Sequence, residues 1–254
     1  MRTYGAEGVV LRRISLGETD RIVTILTVER GKLDAVAKGA RKPGGKLSGA
    51  SEPFTHLRGL LSVGRTLDVL TQCETVETFA HARGDLDLLA RATYLCELAC
   101  EFTASHEPAG EELALLLDAL RALDRAPDYP DGAVHAFELR FLSVRGYAPR
   151  LDTCVACEGG LPRGRVAFSP MQGGLLCRTC RFARDAILIE PETVAAMRAL
   201  LSEGATGLGD AMPEPKVAAE LVRSLRWFVR HRAERELRSA EFLDGLRHVR
   251  PPGA

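Results

Sequence analysis

The chain has 254 residues, with 34 basic and 34 acidic side chains, so its formal net charge is zero. This length suits two or three compact units, and a hydrophobic share of 46% is ordinary for a globular protein. No apolar run reaches the length of a membrane span, and the N-terminus lacks the apolar core of a signal peptide. These features argue against a membrane partner and predict a cytoplasmic protein, whose cysteine thiols stay reduced.

The first part of the chain has the pattern of β-structure. Alternating apolar and polar residues, rich in β-formers, recur in five short segments separated by turn signals. The segments are 7–11, 20–28, 32–37, 54–57 and 67–71. Five short strands within about 75 residues suit a small closed barrel better than an open sheet. We therefore predict a barrel of the oligonucleotide-binding (OB) type over residues 1–79.

A cluster of cations lies inside this predicted barrel. Between residues 30 and 46 there are six basic residues and one acid, and glycines in the same run let a ligand approach the backbone. Such a loop neutralises phosphates without reading base sequence, and few aromatic residues are nearby to stack on bases. The alternative is a mobile charged turn without a ligand. The predicted DNA-binding residues here are Lys32, Lys38, Arg41, Lys42 and Lys46.

After about Gly84 the apolar spacing becomes helical, which predicts an α-helical domain over residues 80–254 and an α+β protein overall. Helices are predicted to begin near Gly84 and to cover 111–125, 133–144, 192–202 and 216–238, with a loop at 204–215 and a frayed tail from His248. The segment 84–140 has twelve acids and four bases. These acids fall beside apolar stripes, which favours a solvated helix face over a two-metal nuclease site.

Four cysteines form the sharpest motif in the chain. Cys154-Val-Ala-Cys157 and Cys177-Arg-Thr-Cys180 are two CxxC pairs separated by nineteen residues. This spacing is typical of a tetrahedral zinc site, inserted here into the helical domain at about 150–184. Four thiolate ligands leave no open position for water or substrate, so we predict one structural Zn²⁺. The alternatives are two disulfides or unrelated core thiols.

Motifs for catalysis are missing from the sequence. There is no P-loop, no Gly-x-Ser-x-Gly and no HExxH, so the sequence favours binding over catalysis and predicts no catalytic residue. Arg223, Arg226 and Arg230 share one helix face by their spacing. That face either binds phosphates, as we predict, or pairs with the acidic helices. The arginines between the cysteine pairs and just after them allow the same two interpretations.

Several motifs in the N-terminal region resemble those of RecO, a family of bacterial recombination mediators. They are Glu7-Gly-Val-Val-Leu11, Gly17-Glu-Thr-Asp-Arg-Ile-Val23, Gly31-Lys-Leu33, Ala37-Lys-Gly-Ala-Arg41-Lys42 and Pro53-Phe54. The order of parts is similar as well: a barrel, a helical domain and a four-cysteine site between helices. The resemblance covers essentially the whole chain.

The resemblance implies a function without enzymatic turnover. RecO-like proteins bind single- and double-stranded DNA and anneal complementary strands. They work with RecR to load RecA onto DNA coated by single-strand-binding protein. Matched by motif, Lys38, Arg41 and Lys42 correspond to the basic loop of the family, and the four cysteines correspond to its zinc ligands. Two other hypotheses stay open: a zinc-stabilised scaffold with incidental DNA affinity, and a Mg²⁺-dependent nucleic-acid hydrolase.

Overall fold

A computed structural model of the chain describes residues 2–202 and 212–249. Most of the predicted loop at 204–215 and the end of the predicted frayed tail lie outside these residues. The described residues form two compact units. The barrel unit comprises those in Met1–Ala126 and Ser239–Ala254, and the cysteine unit comprises those in Pro127–Arg238. The predicted domain boundary at residue 79 stays a prediction.

The described residues form eight strands and seven helices. Five strands belong to a barrel and three to a small second sheet. The strands are β1 Thr3–Leu16, β2 Asp20–Thr27, β3 Gly31–Ala37, β4 His56–Ser62, β5 Asp68–Glu77, β6 Val166–Ser169, β7 Gly174–Leu176 and β8 Ile187–Ile189. The helices are α1 Ala80–Gly84, α2 Leu86–Phe102, α3 Gly110–Asp124, α4 Pro130–Val144, α5 Pro191–Ser202, α6 Pro215–Ala233 and α7 Arg238–Val249. None of the helices in the described part of the chain is both long and apolar enough to cross a membrane.

The first five strands close into a barrel in the order β1-β2-β3-β5-β4. Neighbouring strands are antiparallel except for β3 and β5, which are parallel. This is the topology of the OB-fold, so the predicted barrel is confirmed. The first strand is longer than predicted, because it continues to Leu16 through a second half that is exposed. That half is held by pairing with β2 beyond an irregularity between Val10 and Arg12.

Alternation along the strands fills the barrel interior. On β3, Leu33, Ala35 and Ala37 point inward and are buried, whereas the residues between them are more exposed. The interior also contains branched side chains from the other strands, among them Ile25 and Leu57. Each fully buried residue of this size contributes about 1.5–3 kcal/mol relative to an exposed one. The barrel is therefore a filled core and not a channel.

Helices α1, α2, α3 and α7 complete the barrel unit. Asp85 begins α2, where its side chain accepts hydrogen bonds from the backbone N–H groups of Asp87 and Leu88. The helix predicted over 216–238 is confirmed as α6, but its predicted end is wrong, because α6 covers only Pro215–Ala233. Glu234 ends α6 with a φ of 56°, and α7 begins at Arg238. The Ser239 N–H then donates to the carboxylate of Glu97 on α2 at 2.8 Å.

A row of ion pairs crosses one side of the barrel unit. Arg58 Nε donates to Glu7 at 2.8 Å, and His56 lies between Glu7 at 3.0 Å and Glu77 at 3.2 Å. Arg121 on α3 pairs with Glu77 at 2.8 Å. The hydrogen bond from Arg58 lowers the pKa of Glu7, and the one from Arg121 lowers the pKa of Glu77. These bonds connect β1, β4 and β5 with α3.

Lowering the pH is expected to destabilise the barrel unit, because it protonates Glu7 and Glu77 in this row of ion pairs. A carboxylate whose pKa is lowered on folding stabilises the fold above its unfolded-state pKa, and that stability is lost as the pH falls through the folded value. We expect the free energy of unfolding to decline below about pH 4.5, measured by urea unfolding followed by circular dichroism. The Glu7→Gln/Glu77→Gln variant should be less stable at pH 7 and should show a shallower decline. Parallel pH profiles for both proteins would contradict this role.

The cysteine unit combines three helices with the small sheet, in the order β7-β6-β8. The sequence did not reveal these strands, because they are only three or four residues long. Aromatic rings pack in this unit: Phe137 and Phe141 on α4 lie 4.9 Å apart between ring centroids. Phe168 on β6 meets Phe228 on α6 edge to face at 6.1 Å. The sheet thereby packs on α6, and β7 leads directly into the second cysteine pair.

Candidate metal centre and nucleic-acid interface

The four cysteines predicted from their spacing come together in space. Their Sγ atoms all lie within 4.8 Å of one another, and Cys157 and Cys177 are 3.7 Å apart between sulfurs. Four thiolates around a tetrahedral ion with bonds near 2.3 Å place their sulfurs about 3.8 Å apart. A disulfide needs about 2.05 Å, and none of these cysteines forms one. The cluster therefore fits a metal ion and not two disulfides.

Short turns anchored to the small sheet position the two pairs. The N–H of Val155 donates to the Leu175 carbonyl on β7 at 2.8 Å, which ties the first turn beside the strand that leads to Cys177. Within the first turn, the Cys154 N–H donates to the Gly159 carbonyl at 2.9 Å, and the Glu158 N–H donates back to the Cys154 carbonyl. These backbone hydrogen bonds tie the first cysteine turn to β7, the strand that leads into the second pair.

Backbone N–H groups also prepare the sulfurs for metal binding. Burial raises the pKa of Cys154, but hydrogen bonds from the backbone of Cys177 and its own turn outweigh it and lower the value to about 6. Hydrogen bonding to Cys177 and the other thiols raises the pKa of Cys180 to about 12. Thiolates this close repel one another, so all four ionise together only when a cation balances their charge. The donor set favours a thiophilic cation.

Few buried apolar side chains surround the cysteine cluster. The buried residues packed there are only Cys154, Ala167 and Leu176 among those that the structure describes. Partly buried hydrophobic residues, such as Val155 and Ala183, also pack against the cluster. A group this small buries too little apolar surface to fold alone, so coordination would supply the missing free energy.

The predicted basic loop is an ordered segment between β3 and β4. Ala40, Leu47 and Ala50 are buried and belong to the barrel core. The Arg41 N–H donates to the Thr19 carbonyl at 2.8 Å, and the Arg41 guanidinium donates to the Gly17 carbonyl at 2.7 Å. The buried residues anchor the loop while its cationic side chains remain exposed, which disfavours the interpretation as a mobile turn. The exposed cations are Lys38, Arg41, Lys42 and Lys46.

Asp20 fixes the start of this loop. Its carboxylate accepts hydrogen bonds from the Gly39 N–H at 2.8 Å and from the Thr19 hydroxyl at 2.9 Å. These bonds, together with the charges of Lys38 and Lys42, lower the pKa of Asp20. Gly39 has a φ of 68°, a backbone conformation that other residues rarely adopt. The carboxylate therefore holds the turn in which the cations are presented.

Replacing Gly45 by alanine is expected to disrupt this loop. A Cβ atom at position 45 would lie 2.5 Å from the Gly39 carbonyl oxygen, which is too close without a backbone shift. We expect a destabilisation of about 1–3 kcal/mol and weaker DNA binding, because the cations would be displaced. Gly49→Ala is the matched control, since its Cβ would meet nothing within 4 Å. Equal melting temperatures and DNA affinities for the two variants would contradict the expectation.

Three of the four other predicted cations have partners within the protein. Lys32 Nζ donates to the Cys100 carbonyl in the last turn of α2, at 2.5 Å. Arg226 and Arg230 both pair with Glu236, the latter at 2.9 Å. Arg223 is exposed on the same helix. A role for these four residues in DNA binding stays a prediction.

Sequence reasoning gave no role to Phe182. It follows the second cysteine pair by two residues and is 78% exposed. The signal was present in the sequence Cys180-Arg-Phe-Ala-Arg184, in which a large aromatic residue is flanked by arginines.

Together these features define an OB-fold protein with a helical region and a four-cysteine cluster that could hold a metal ion. The family model described as "Recombination protein O N terminal" matches residues 1–79, and the one described as "Recombination protein O C terminal" matches residues 83–241.

Curated relatives agree with these matches. The DNA repair protein RecO of Anaeromyxobacter sp. (strain Fw109-5) is 42% identical over 242 residues, covering 93% of this chain and 94% of its own length. The RecO proteins of Symbiobacterium thermophilum and Myxococcus xanthus are 37% and 38% identical. The match to the Symbiobacterium protein covers 98% of this chain and 100% of that relative. The match to the Myxococcus protein covers 96% of this chain and 98% of that relative. The chain therefore belongs to the RecO family of DNA repair proteins.

Proposed function

We propose that the protein is a recombinational repair mediator that binds single- and double-stranded DNA and anneals complementary strands. One observation carries this proposal above the others: the loop at 38–46 is anchored in the barrel core yet keeps four cationic side chains exposed. Because the loop is ordered, little conformational entropy is lost when phosphates bind. DNA binding then depends on charge and not on base sequence.

Annealing follows from neutralising two DNA backbones at once. Two complementary strands repel each other most at separations below the Debye length, about 8–10 Å in ordinary salt. Lys38, Arg41, Lys42 and Lys46 would reduce this repulsion for strands that approach the loop. Arg223 would add to the basic surface, as would Lys32, Arg226 and Arg230 where they exchange their present partners for phosphates.

Zn²⁺ is the proposed occupant of the cysteine cluster. Thiolate ligands select thiophilic ions, and four of them at tetrahedral spacing suit zinc. Cys154, Cys157, Cys177 and Cys180 would hold one ion, which would supply structural stability and leave no site for a substrate. Reduced thiols suit the cytoplasm, where we place the protein.

Protein partners are proposed from family membership. As in the relatives called DNA repair proteins, the chain would act in recombinational repair. We propose that it works with RecR to load RecA onto single-stranded DNA coated by single-strand-binding protein, without catalytic turnover. No residue is assigned to these protein contacts.

Annealing kinetics test the proposal. Two complementary oligonucleotides, one with a fluorophore and one with a quencher, are mixed with the full zinc-loaded chain. We expect the annealing rate to rise with protein concentration and to fall as salt increases. Rates equal to those without protein at every concentration would refute the proposal.

The two other hypotheses predict different results. A Mg²⁺-dependent hydrolase would need clustered carboxylates. Within residues 2–202 and 212–249, the four cysteines are the only group of three or more potential ligands brought together. Gel analysis with added Mg²⁺ should show intact DNA, whereas shortened products would favour the hydrolase. A scaffold with incidental DNA affinity would support repair in cells even when the loop cations are reversed.

A further inference from the structure

The second cysteine turn presents an unusually exposed aromatic ring. Phe182 is 78% exposed, more than any other large hydrophobic side chain that the structure describes. Its neighbours in sequence behave differently: Ala183 packs against the cysteine cluster, and the Ala186 N–H donates to the Ala183 carbonyl at 3.0 Å. The ring is therefore exposed on an anchored turn and not on a loose end. The ring therefore offers a flat apolar face on which a ligand can pack.

Three arginines surround this ring in sequence and are exposed as well. They are Arg178, Arg181 and Arg184. None of the three has an ion pair or a hydrogen bond to a side chain among the described residues. Elsewhere in the cysteine unit arginines do find acids: Arg150 pairs with Glu158 at 3.1 Å, and Arg165 pairs with Glu190 at 3.3 Å.

The acid next to this turn is already engaged. Asp185 accepts hydrogen bonds from the Ser169 hydroxyl and the Met171 N–H, both at 2.8 Å. Its carboxylate therefore holds β6 and the following turn, and it is not directed to the arginines. The turn carries three cations without a counter-charge of its own, so it favours an anionic ligand.

We propose that Phe182, Arg178, Arg181 and Arg184 form a second contact for single-stranded nucleic acid. Phe182 stacks on one base, and the arginines bind the flanking phosphates. Arg181 already lies over the Phe182 ring, 5.0 Å from the guanidinium carbon to the ring centroid, so ring and cation are presented together. A single exposed ring suits a base, because every base has a face on which an aromatic side chain stacks.

This inference rests on the proposed function for its choice of nucleic acid, but it concerns the turn after the second cysteine pair and not the loop at 38–46. The two are distinguished by combining variants. If the loop variant Lys38→Glu/Arg41→Glu/Lys42→Glu binds DNA normally while Phe182→Ala does not, the loop proposal fails and the contact at Phe182 stands.

Binding to normal and abasic oligonucleotides tests the stacking contact. Fluorescence anisotropy of labelled oligothymidylate with the full zinc-loaded chain should show a loss on the order of tenfold for Phe182→Ala. An abasic strand of the same length should show no loss, and Phe182→Trp should retain the affinity. Leu188→Ala, another exposed apolar residue of the cysteine unit, is the matched control and should bind normally.

Charge reversal and cross-linking complete the test. Arg178→Glu/Arg181→Glu/Arg184→Glu should weaken binding to both strands and reduce the salt slope by about 2. An oligonucleotide carrying 5-iodouracil should cross-link, in the unmodified protein, to the peptide that contains Phe182. Equal affinity of Phe182→Ala and the unmodified protein for oligothymidylate would overturn the inference, as would equal losses on both strands. If the triple arginine variant lost binding to an acidic peptide but kept its affinity for both DNA strands, the turn would be assigned to a protein partner instead.

Discussion

Replacing Cys154 by serine is expected to release the metal ion and to unfold the part of the cysteine unit around the small sheet. Few buried residues pack against the cysteines themselves, and a structural Zn²⁺ contributes apparent binding energies of about 10–16 kcal/mol in small metal-folded domains. Removing one of four thiolates leaves an incomplete site. Cys177→Ser should behave in the same way, because it removes a ligand from the other pair.

Metal content and melting curves check this expectation. The unmodified protein should contain about one equivalent of zinc per chain when purified under reducing conditions. Both serine variants should lose the metal, aggregate or melt at lower temperature. Cys73→Ser on β5 is the matched control, because that cysteine lies in the barrel unit and should leave the zinc content unchanged. A Cys154→Ser protein with full metal content and unchanged melting would refute a structural role for the cluster.

Reversing three loop charges is expected to have the largest effect on DNA binding. In the Lys38→Glu/Arg41→Glu/Lys42→Glu variant, attraction to phosphates becomes repulsion at three exposed positions. We expect the affinity for single-stranded DNA to fall on the order of 100-fold or more in low salt. The salt slope should decrease by about 2 to 3, since roughly one counterion is released for each phosphate contact.

Single substitutions separate local from global effects of charge. Lys42→Glu and Arg125→Glu change the net charge equally, and both residues are exposed, but only Lys42 belongs to the loop. Lys42→Glu should weaken binding severalfold, whereas Arg125→Glu should have little effect. Similar losses for both variants would show that binding follows net charge and not the loop. Circular dichroism should show unchanged folding for both, because neither residue is buried.

Local patterns in the sequence predicted most of the barrel. Alternation on β3 and the turn signals indicated strands, because inward and outward positions differ in polarity along each of them. The exposed half of β1 was not predicted, since its stability comes from pairing with β2 and not from an apolar face. Closure through the parallel pairing of β3 and β5 is a tertiary contact that no local pattern carries.

In the cysteine unit, the sequence predicted the metal cluster but not the small sheet. The spacing of the four cysteines predicted their cluster, because two short turns bring each pair together whatever surrounds them. The strands β6, β7 and β8 were missed, since three or four residues carry too little periodicity. The break at Glu234 was missed as well, because a left-handed residue other than glycine leaves no sequence signal.

Partners of charged residues were the least predictable feature. The spacing of Arg226 and Arg230 placed them on one helix face correctly, but their pairing with Glu236 depends on the turn after α6. Similarly, the bond from Lys32 to the Cys100 carbonyl joins residues that are 68 positions apart. The loop at 38–46 was easier to predict, because its exposed cations need no partner from elsewhere in the chain.

We propose that the ordered basic loop of the barrel carries out strand annealing while the cysteine cluster supports structure. Annealing rates of the Lys38→Glu/Arg41→Glu/Lys42→Glu variant, with its zinc content intact, test this division of roles against the Arg125→Glu control. We predict that the triple variant anneals complementary oligonucleotides no faster than the reaction without protein, and that the control anneals at the unmodified rate. Unchanged annealing by the zinc-loaded triple variant would contradict the claim.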